Sequence, residues 1–193
     1  MKTLVLLFLS LMSCVNAFAQ DSEGYFDITQ QNGALRHIQS PNKDIQNTKW
    51  GNMEKKPYVQ YYNALSKEPK KNLQYKLGFL IMWQFDFQIP KGSRLLIKYK
   101  DGTTITLKTN TDNTGTLDYF NGSSKYYTSA SYVITNQQLD KIIKVGVTKI
   151  RIETLVKNFD IEPESSISEL TKSFKAGLYN RYNKTKDSFT ADF

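Results

Sequence analysis

The sequence predicts an α+β fold: a twisted antiparallel sheet of about six to eight strands with a short helix and a C-terminal amphipathic helix against it. A β-sandwich with peripheral helices is the alternative. Three observations carry this. Leu73, Tyr75, Leu77, Phe79, Ile81, Trp83, Phe85, Phe87 and Ile89 occupy successive odd positions, with mostly polar residues between them. Period two over that length means β-structure with one buried face. Asp101-Gly102 and Asn121-Gly122 are turn signals between alternating segments. Thr135–Gln138 and Ser166–Glu169 each have capping-box spacing and precede apolar residues at helical intervals.

In chain order, Lys2, the apolar run Leu4–Leu11 and the small-x-small site Ala17-Phe18-Ala19 form a secretory signal peptide over residues 1–19. The run is too short for a bilayer, which takes about 20 apolar residues, so no transmembrane segment is expected once the leader is removed. A rival reading takes Leu11-Met12-Ser13-Cys14 as a lipobox, with a lipid anchor on Cys14. Export to the periplasm or medium is expected in the first case and lipid anchoring in the second. In both, the folded domain has no free thiol and no disulfide, because Cys14 is the chain's one cysteine.

Residues 20–57 read as a loop-rich lead with one short strand near Tyr25–Ile28, and residues 58–193 as the β-rich domain with its C-terminal helix. Tyr58–Leu65 suits a strand. Ser66–Lys71 suits a solvated loop, since Pro69 cannot continue a ladder. The long run from Leu73 is expected to bend near Gly78, where a bulge is cheap. Leu80 and Met82 break its polar face, so the C-terminal helix is expected to cover them. Parity sets the next turn. A two-residue Asp101-Gly102 turn would put the apolar sets of 94–99 and 103–109 on opposite faces. A three-residue loop, Lys100–Gly102, aligns Ile97 with Ile105 and asks for a left-handed Gly102. The Asn121-Gly122 turn pairs Phe120 with Ser123, Asp118 with Lys125 and Leu117 with Tyr126. Leu139, Ile142 and Ile143 make the inward face of the short helix, which Gly146 ends. Val147–Leu155 returns as a strand. Ile167, Leu170, Phe174, Leu178 and Tyr182 stripe the last helix, with cations toward its end.

Three segments carry a resemblance: Ile89-Pro90-Lys91-Gly92-Ser93-Arg94-Leu95-Leu96-Ile97, Tyr132-Val133-Ile134-Thr135-Asn136-Gln137-Gln138-Leu139, and Val147-Thr148-Lys149-Ile150-Arg151-Ile152-Glu153-Thr154. Their order over residues 72–155 resembles small secreted proteins and lipoproteins of Bacteroidota-type bacteria. The resemblance implies the fold order and an envelope location, and carries no activity with it.

Composition then removes chemistries. With Cys14 in the leader, cysteine catalysis drops out by count. His37 is the one histidine, so triad and metal readings have no partners in sequence and no metal site is predicted. No phosphate-binding loop or dinucleotide fingerprint occurs, and no cofactor is expected. The chain carries 26 Lys and Arg against 18 Asp and Glu, a net charge of +8. That surface suits anionic partners, but mild basicity also serves solubility. Nucleic acid is not expected for an exported chain.

Binding candidates remain. Asp86 between Gln84 and Gln88 offers a hydrogen-bonding stripe for a sugar. Tyr119 and Phe120 beside the Asn121-Gly122 turn, with Tyr126 and Tyr127 after it, offer rings that can stack on one. Tyr58, Tyr61 and Tyr62 before the basic loop Lys67, Lys70 and Lys71 form a second such set, and the plainer role of all these tyrosines is strand packing with wetted hydroxyls. Asp160, Glu162 and Glu164 are read as acids favoured at a helix start, with calcium the minor alternative because their spacing lacks an EF-hand pattern. The expected function is a non-enzymatic envelope or secreted protein that binds a partner protein or a glycan. A carboxylate-dependent glycan hydrolase and a periplasmic inhibitor or immunity factor are the alternatives.

Overall fold

Alternation along the chain becomes pairing in space. The computed structural model describes residues 19–20, 26–29, 36–49, 52–53, 55–67, 74–120 and 123–184. Residues 1–18, which hold Cys14 and most of the expected 1–19 leader, lie outside the described residues, as do most of the Pro69 loop and the Asn121-Gly122 turn. So does the Tyr182 side chain expected on the last helix.

The strands in chain order are β1 (Ala19–Gln20), β2 (Phe26–Thr29), β3 (Arg36–Gln39), β4 (Lys43–Gln46), β5 (Tyr58–Lys67), β6 (Gln74–Trp83), β7 (Gln88–Ile89), β8 (Arg94–Tyr99), β9 (Thr104–Lys108), β10 (Asn113–Thr114), β11 (Thr116–Phe120), β12 (Ser123–Ile134), β13 (Val147–Ile152) and β14 (Phe159–Ile161). Helices α1 (Asn136–Val145) and α2 (Ile167–Lys184) complete the described elements. All pairing among the described strands is antiparallel. An eight-stranded curled sheet runs β1-β2-β3-β5-β6-β12-β11, with β4 also on β5. A four-stranded sheet runs β14-β13-β8-β9, and β10 pairs β7 in a small ribbon. The expected single sheet is therefore divided. After Pro90 the turn at Lys91-Gly92, with Gly92 at φ 90°, sends β8 into the second sheet.

The two larger sheets meet along both margins. Thr109 bridges Tyr132 on one side. On the other, Glu164 N donates to Ile45 O at 2.9 Å, and Ser165 Oγ donates to Asp44 O at 2.8 Å. Between them lies one apolar cluster. It takes Val59, Tyr61, Leu77, Phe79, Ile81 and Trp83 from the first sheet and Leu95, Ile97, Tyr99, Ile150, Ile152 and Phe159 from the second. Trp83, Phe87 and Phe159 close one end of it with edge-to-face rings 5.1–6.1 Å apart. Burial of this set is the main stabilising term in a fold without cross-links.

Local signals held where they rested on short-range geometry. Ile97 faces Ile105, Tyr99 N donates to Thr103 O at 2.9 Å, and Gly102 sits at φ 82°. This is the three-residue loop that parity requires. Phe120 faces Ser123, Asp118 faces Lys125 and Leu117 faces Tyr126, the register that a two-residue turn imposes. Thr135 and Gln138 form a reciprocal capping box on α1, whose Leu139 and Ile142 are buried. Ser166 Oγ accepts from Glu169 N at the start of α2.

Other expectations give way. The lead carries more strand than one element: β3 pairs one half of β5 and β4 the other. At the switch, Ser40 exchanges hydrogen bonds with the Asn63 backbone before Pro41 interrupts the ladder. Strand β6 neither splits nor bulges at Gly78. It runs in unbroken register to Trp83, and the break falls at Gln84–Phe87 instead. Gly78 is small for another reason. The ring of its cross-strand neighbour Tyr62 lies over it, so a Cβ there would overlap that ring.

Helix α2 does not cover Leu80 and Met82. Its Phe174 clusters with Ile38 and Leu65, flanked by Tyr75 and Leu178. Its Thr171 meets Tyr61 Oη at 3.0 Å in a buried contact. Tyr61 and Phe79 are cross-strand partners and point inward, whereas Leu80 and Met82 point to the other face. The helix follows the inward face, where the larger apolar area lies.

Candidate functional site

The outward face of β5, β6, β12 and β11 holds the candidate site. One row across the strands reads Tyr58, Met82, Tyr127 and Thr116, and the next reads Gln60, Leu80 and Ser129. Period two brings these residues to one face, and antiparallel register aligns them side by side. Tyr58, Gln60, Leu80, Met82, Asp118 and Tyr127 line a shallow cavity of about 210 Å³. Leu80 and Met82 form its apolar floor, half-buried where a polar strand face was otherwise expected.

A polar network holds one wall. Tyr58 Oη donates to Asp44 Oδ1, and Gln60 Nε2 donates to the same oxygen at 2.9 Å and to Tyr58 Oη at 2.8 Å. Burial, then the bond and charge of Asp44, push the Tyr58 phenol up to about 12. It therefore stays a neutral donor at neutral pH. Beneath Asp118, its cross-strand partner Lys125 is buried, and that burial lowers its ammonium pKa.

The groove continues. A second depression of about 730 Å³ shares Tyr58 and Met82 and adds Asp44, Asn47, Thr48, Lys49 and Met53. A third, of about 800 Å³, shares Asn47, Thr48 and Lys49 and opens onto Lys55, Lys56, Lys149, Glu162 and Glu164. Gln46 Nε2 and Thr48 Oγ1 both donate to Pro57 O, at 2.6 and 2.9 Å, which pins the shared segment. An aromatic end thus passes into a charged end along one edge of the sheet.

The residues singled out from sequence separate. Tyr127 lies in the groove and is 40% exposed. Tyr126 points to the opposite face and packs against the core. Tyr119 stands on edge strand β11, 75% exposed. The Phe120 side chain lies outside the described residues. Asp86 is exposed in the bend after β6 rather than on the face of a strand. Adjacent strand residues cannot share a face, so Tyr126 and Tyr127 were never one platform. Of the set before the basic loop, Tyr58 lies in the groove and Tyr61 is buried on the opposite face, while Gln60, Asp44 and Asp118 were missed. The signal that could have found them was the apolar pair Leu80 and Met82 on a polar face.

The other candidates settle into local roles. His37 is half-buried on β3, its Nε2 at 3.4 Å from Gln39 Oε1. Asp160 does not serve a helix start. It faces Arg151 across β13–β14 and takes two hydrogen bonds from its guanidinium, at 2.6 and 2.7 Å, with Lys149 at 3.3 Å. Those bonds, Arg151 first, draw its carboxyl down to about 2. Among the described residues no cluster of His, Cys, Asp and Glu could hold a metal ion, and no helix is long and apolar enough to cross a membrane.

Compared with known proteins, the chain matches no family model, no curated protein and no solved structure.

Proposed function

We propose that this chain is an exported, non-enzymatic binding protein of the cell envelope that takes a glycan in the Tyr58–Tyr127 groove. The observation that carries the reading is the chemistry of that groove. Two tyrosines flank an apolar floor, and the Asp118 carboxylate and the Gln60 amide stand at its rim. Sugar rings present an apolar C–H face and a border of hydroxyls, which such a site meets with an aromatic ring and charged or amide acceptors. The neighbouring depressions leave room for further units of a chain. In this reading residues 1–19 direct export, the two larger sheets act as a sandwich-like scaffold, and α2 is an amphipathic brace.

The competing reading is a glycan hydrolase, because Asp44 and Asp118 both belong to the groove's surroundings. Its weakness is that Asp44 already accepts two hydrogen bonds through Oδ1. The test is calorimetric titration of the purified mature chain with envelope oligosaccharides, with product analysis of the same mixtures. Binding that weakens at least about tenfold in Tyr127→Ala and in Asp118→Asn is expected, with the glycan recovered intact; tenfold is about 1.4 kcal/mol, the scale of one aromatic contact or one charged hydrogen bond. Binding indifferent to both changes would reject the groove. Shortened glycan would replace the binder with the hydrolase.

A further inference from the structure

At the end of the molecule where β6 breaks, three large apolar side chains stand in solvent. Phe85 is 49% exposed, Leu155 66% and Val156 64%. They belong to one region. Phe85 stacks edge-on against Trp83 at 5.1 Å, Trp83 meets Phe159 at 5.1 Å, and Leu155 N donates to Gln88 O at 3.0 Å. Scattered apolar residues on a surface need no explanation, but an adjacent pair at a loop tip beside a half-exposed phenylalanine does.

The tip is also built. Val156 N and Lys157 N both donate to Thr154 Oγ1, at 3.2 and 3.1 Å, and Thr154 Oγ1 donates to Lys157 O at 2.7 Å. With Leu155 N bonded to Gln88, the three amides at the tip have partners inside the protein. That condition matters little in water and a great deal in an apolar medium, where an unpaired amide costs several kcal/mol. Around the tip are cations. Lys157 Nζ reaches Lys55 O at 3.4 Å, which places the Lys55-Lys56 turn beside it, and both side chains are exposed. The acids of this end are Asp86 beside Phe85, and Asp160, Glu162 and Glu164, which line one cavity with Lys55 and Lys56; Asp160 is paired with Arg151 and Lys149.

We propose that this end docks on an anionic lipid surface, with Leu155 and Val156 entering the headgroup–acyl boundary, Phe85 at the interface and Lys55, Lys56 and Lys157 on lipid phosphates. Apolar insertion and basic attraction are individually weak and together give reversible peripheral binding. The groove's Tyr58 and Tyr127 take no part, so this inference stands apart from the glycan reading.

Sedimentation of the mature chain with vesicles of phosphatidylethanolamine and phosphatidylglycerol tests it, beside vesicles of phosphatidylcholine alone. Binding to the anionic vesicles is expected, falling about a hundredfold in Leu155→Asp/Val156→Asp and markedly in high salt. The substituted residues are exposed, so an unchanged unfolding curve will show that the variant is folded. Failure to sediment with anionic vesicles, equal binding to phosphatidylcholine, or binding that survives the double substitution overturns the proposal. A dimer in analytical ultracentrifugation that the double substitution disperses also overturns it and gives the patch to a second copy.

Discussion

The two faces of β6 make opposite use of the same strand. Inward, Phe79 is fully buried between the rings of Tyr61 and Tyr132, at 5.5 and 6.0 Å, and nothing polar interrupts Leu77, Phe79, Ile81 and Trp83. Outward, one residue along, Gly78 lies under the Tyr62 ring, and Leu80 and Met82 are only half covered. The inward face is set by the hydrophobic effect and needs only correct parity. The outward face is set by which neighbours happen to stand over it. A glycine roofed by a tyrosine, a methionine flanked by two more and an acid at the rim leave a groove rather than a core. One face stabilises the protein, and the other is free to recognise something.

The largest test of that contrast is a pair of truncations read by urea unfolding. Phe79→Ala should cost about 3–5 kcal/mol, as buried aromatic truncations do. Met82→Ala should cost about 1 kcal/mol, roughly half the transfer value of a fully buried side chain. Equal losses would mean that both faces are core and the groove is incidental.

A smaller effect sharpens the outward face alone. Gly78→Ala must displace the Tyr62 ring and should cost about 1–3 kcal/mol, the usual range for overpacking. In a Tyr62→Ala background the same change should be neutral or slightly stabilising, since alanine is preferred to glycine within a strand by about 0.5–1 kcal/mol. If Gly78→Ala costs the same in both backgrounds, the close approach of ring and backbone is not the cause.

The smallest concerns the exposed face of the second sheet, where Arg151 and Asp160 stand opposite the buried Ile150, Ile152 and Phe159. Asp160 is depressed from the ordinary 3.8 to about 2 in the folded chain. A depressed carboxyl stabilises the fold above its unfolded pKa and loses that contribution as pH falls through its folded pKa. The contribution is therefore complete above about pH 4 and lost toward about pH 2. Both side chains are over a third exposed, so solvent screening holds it below about 1 kcal/mol. Asp160→Asn should flatten the acid limb of stability in that window and leave neutral stability within about 1 kcal/mol. An unaltered acid limb would show that the pair contributes nothing measurable.

The β-character of the run from Leu73, though not where it breaks, both hairpin registers, the left-handed Gly102, the capping box of α1 and the start of α2 were legible in the sequence. Each depends on residues within about a dozen positions of one another, where parity, turn length and capping geometry leave few solutions. The site was barely legible. Tyr58 and Tyr127 came through, but Tyr126 went to the core face, because side chains adjacent in sequence point to opposite faces of a strand, and Asp86 fell in the bend beyond the strand end. Tyr58 and Asp44 became neighbours only through the pairing of β4 with β5. Only tertiary structure decided which half of β5 each short lead strand would take and that α2 would brace the inward face. The same holds for the Tyr62 ring over Gly78. These outcomes rest on contacts between segments tens of residues apart, and no local pattern encodes which of several apolar faces a segment will meet. The chain alone determined its periodicities and turns. The apolar area available when those pieces met determined the core, and the groove is the part of the outward face left uncovered.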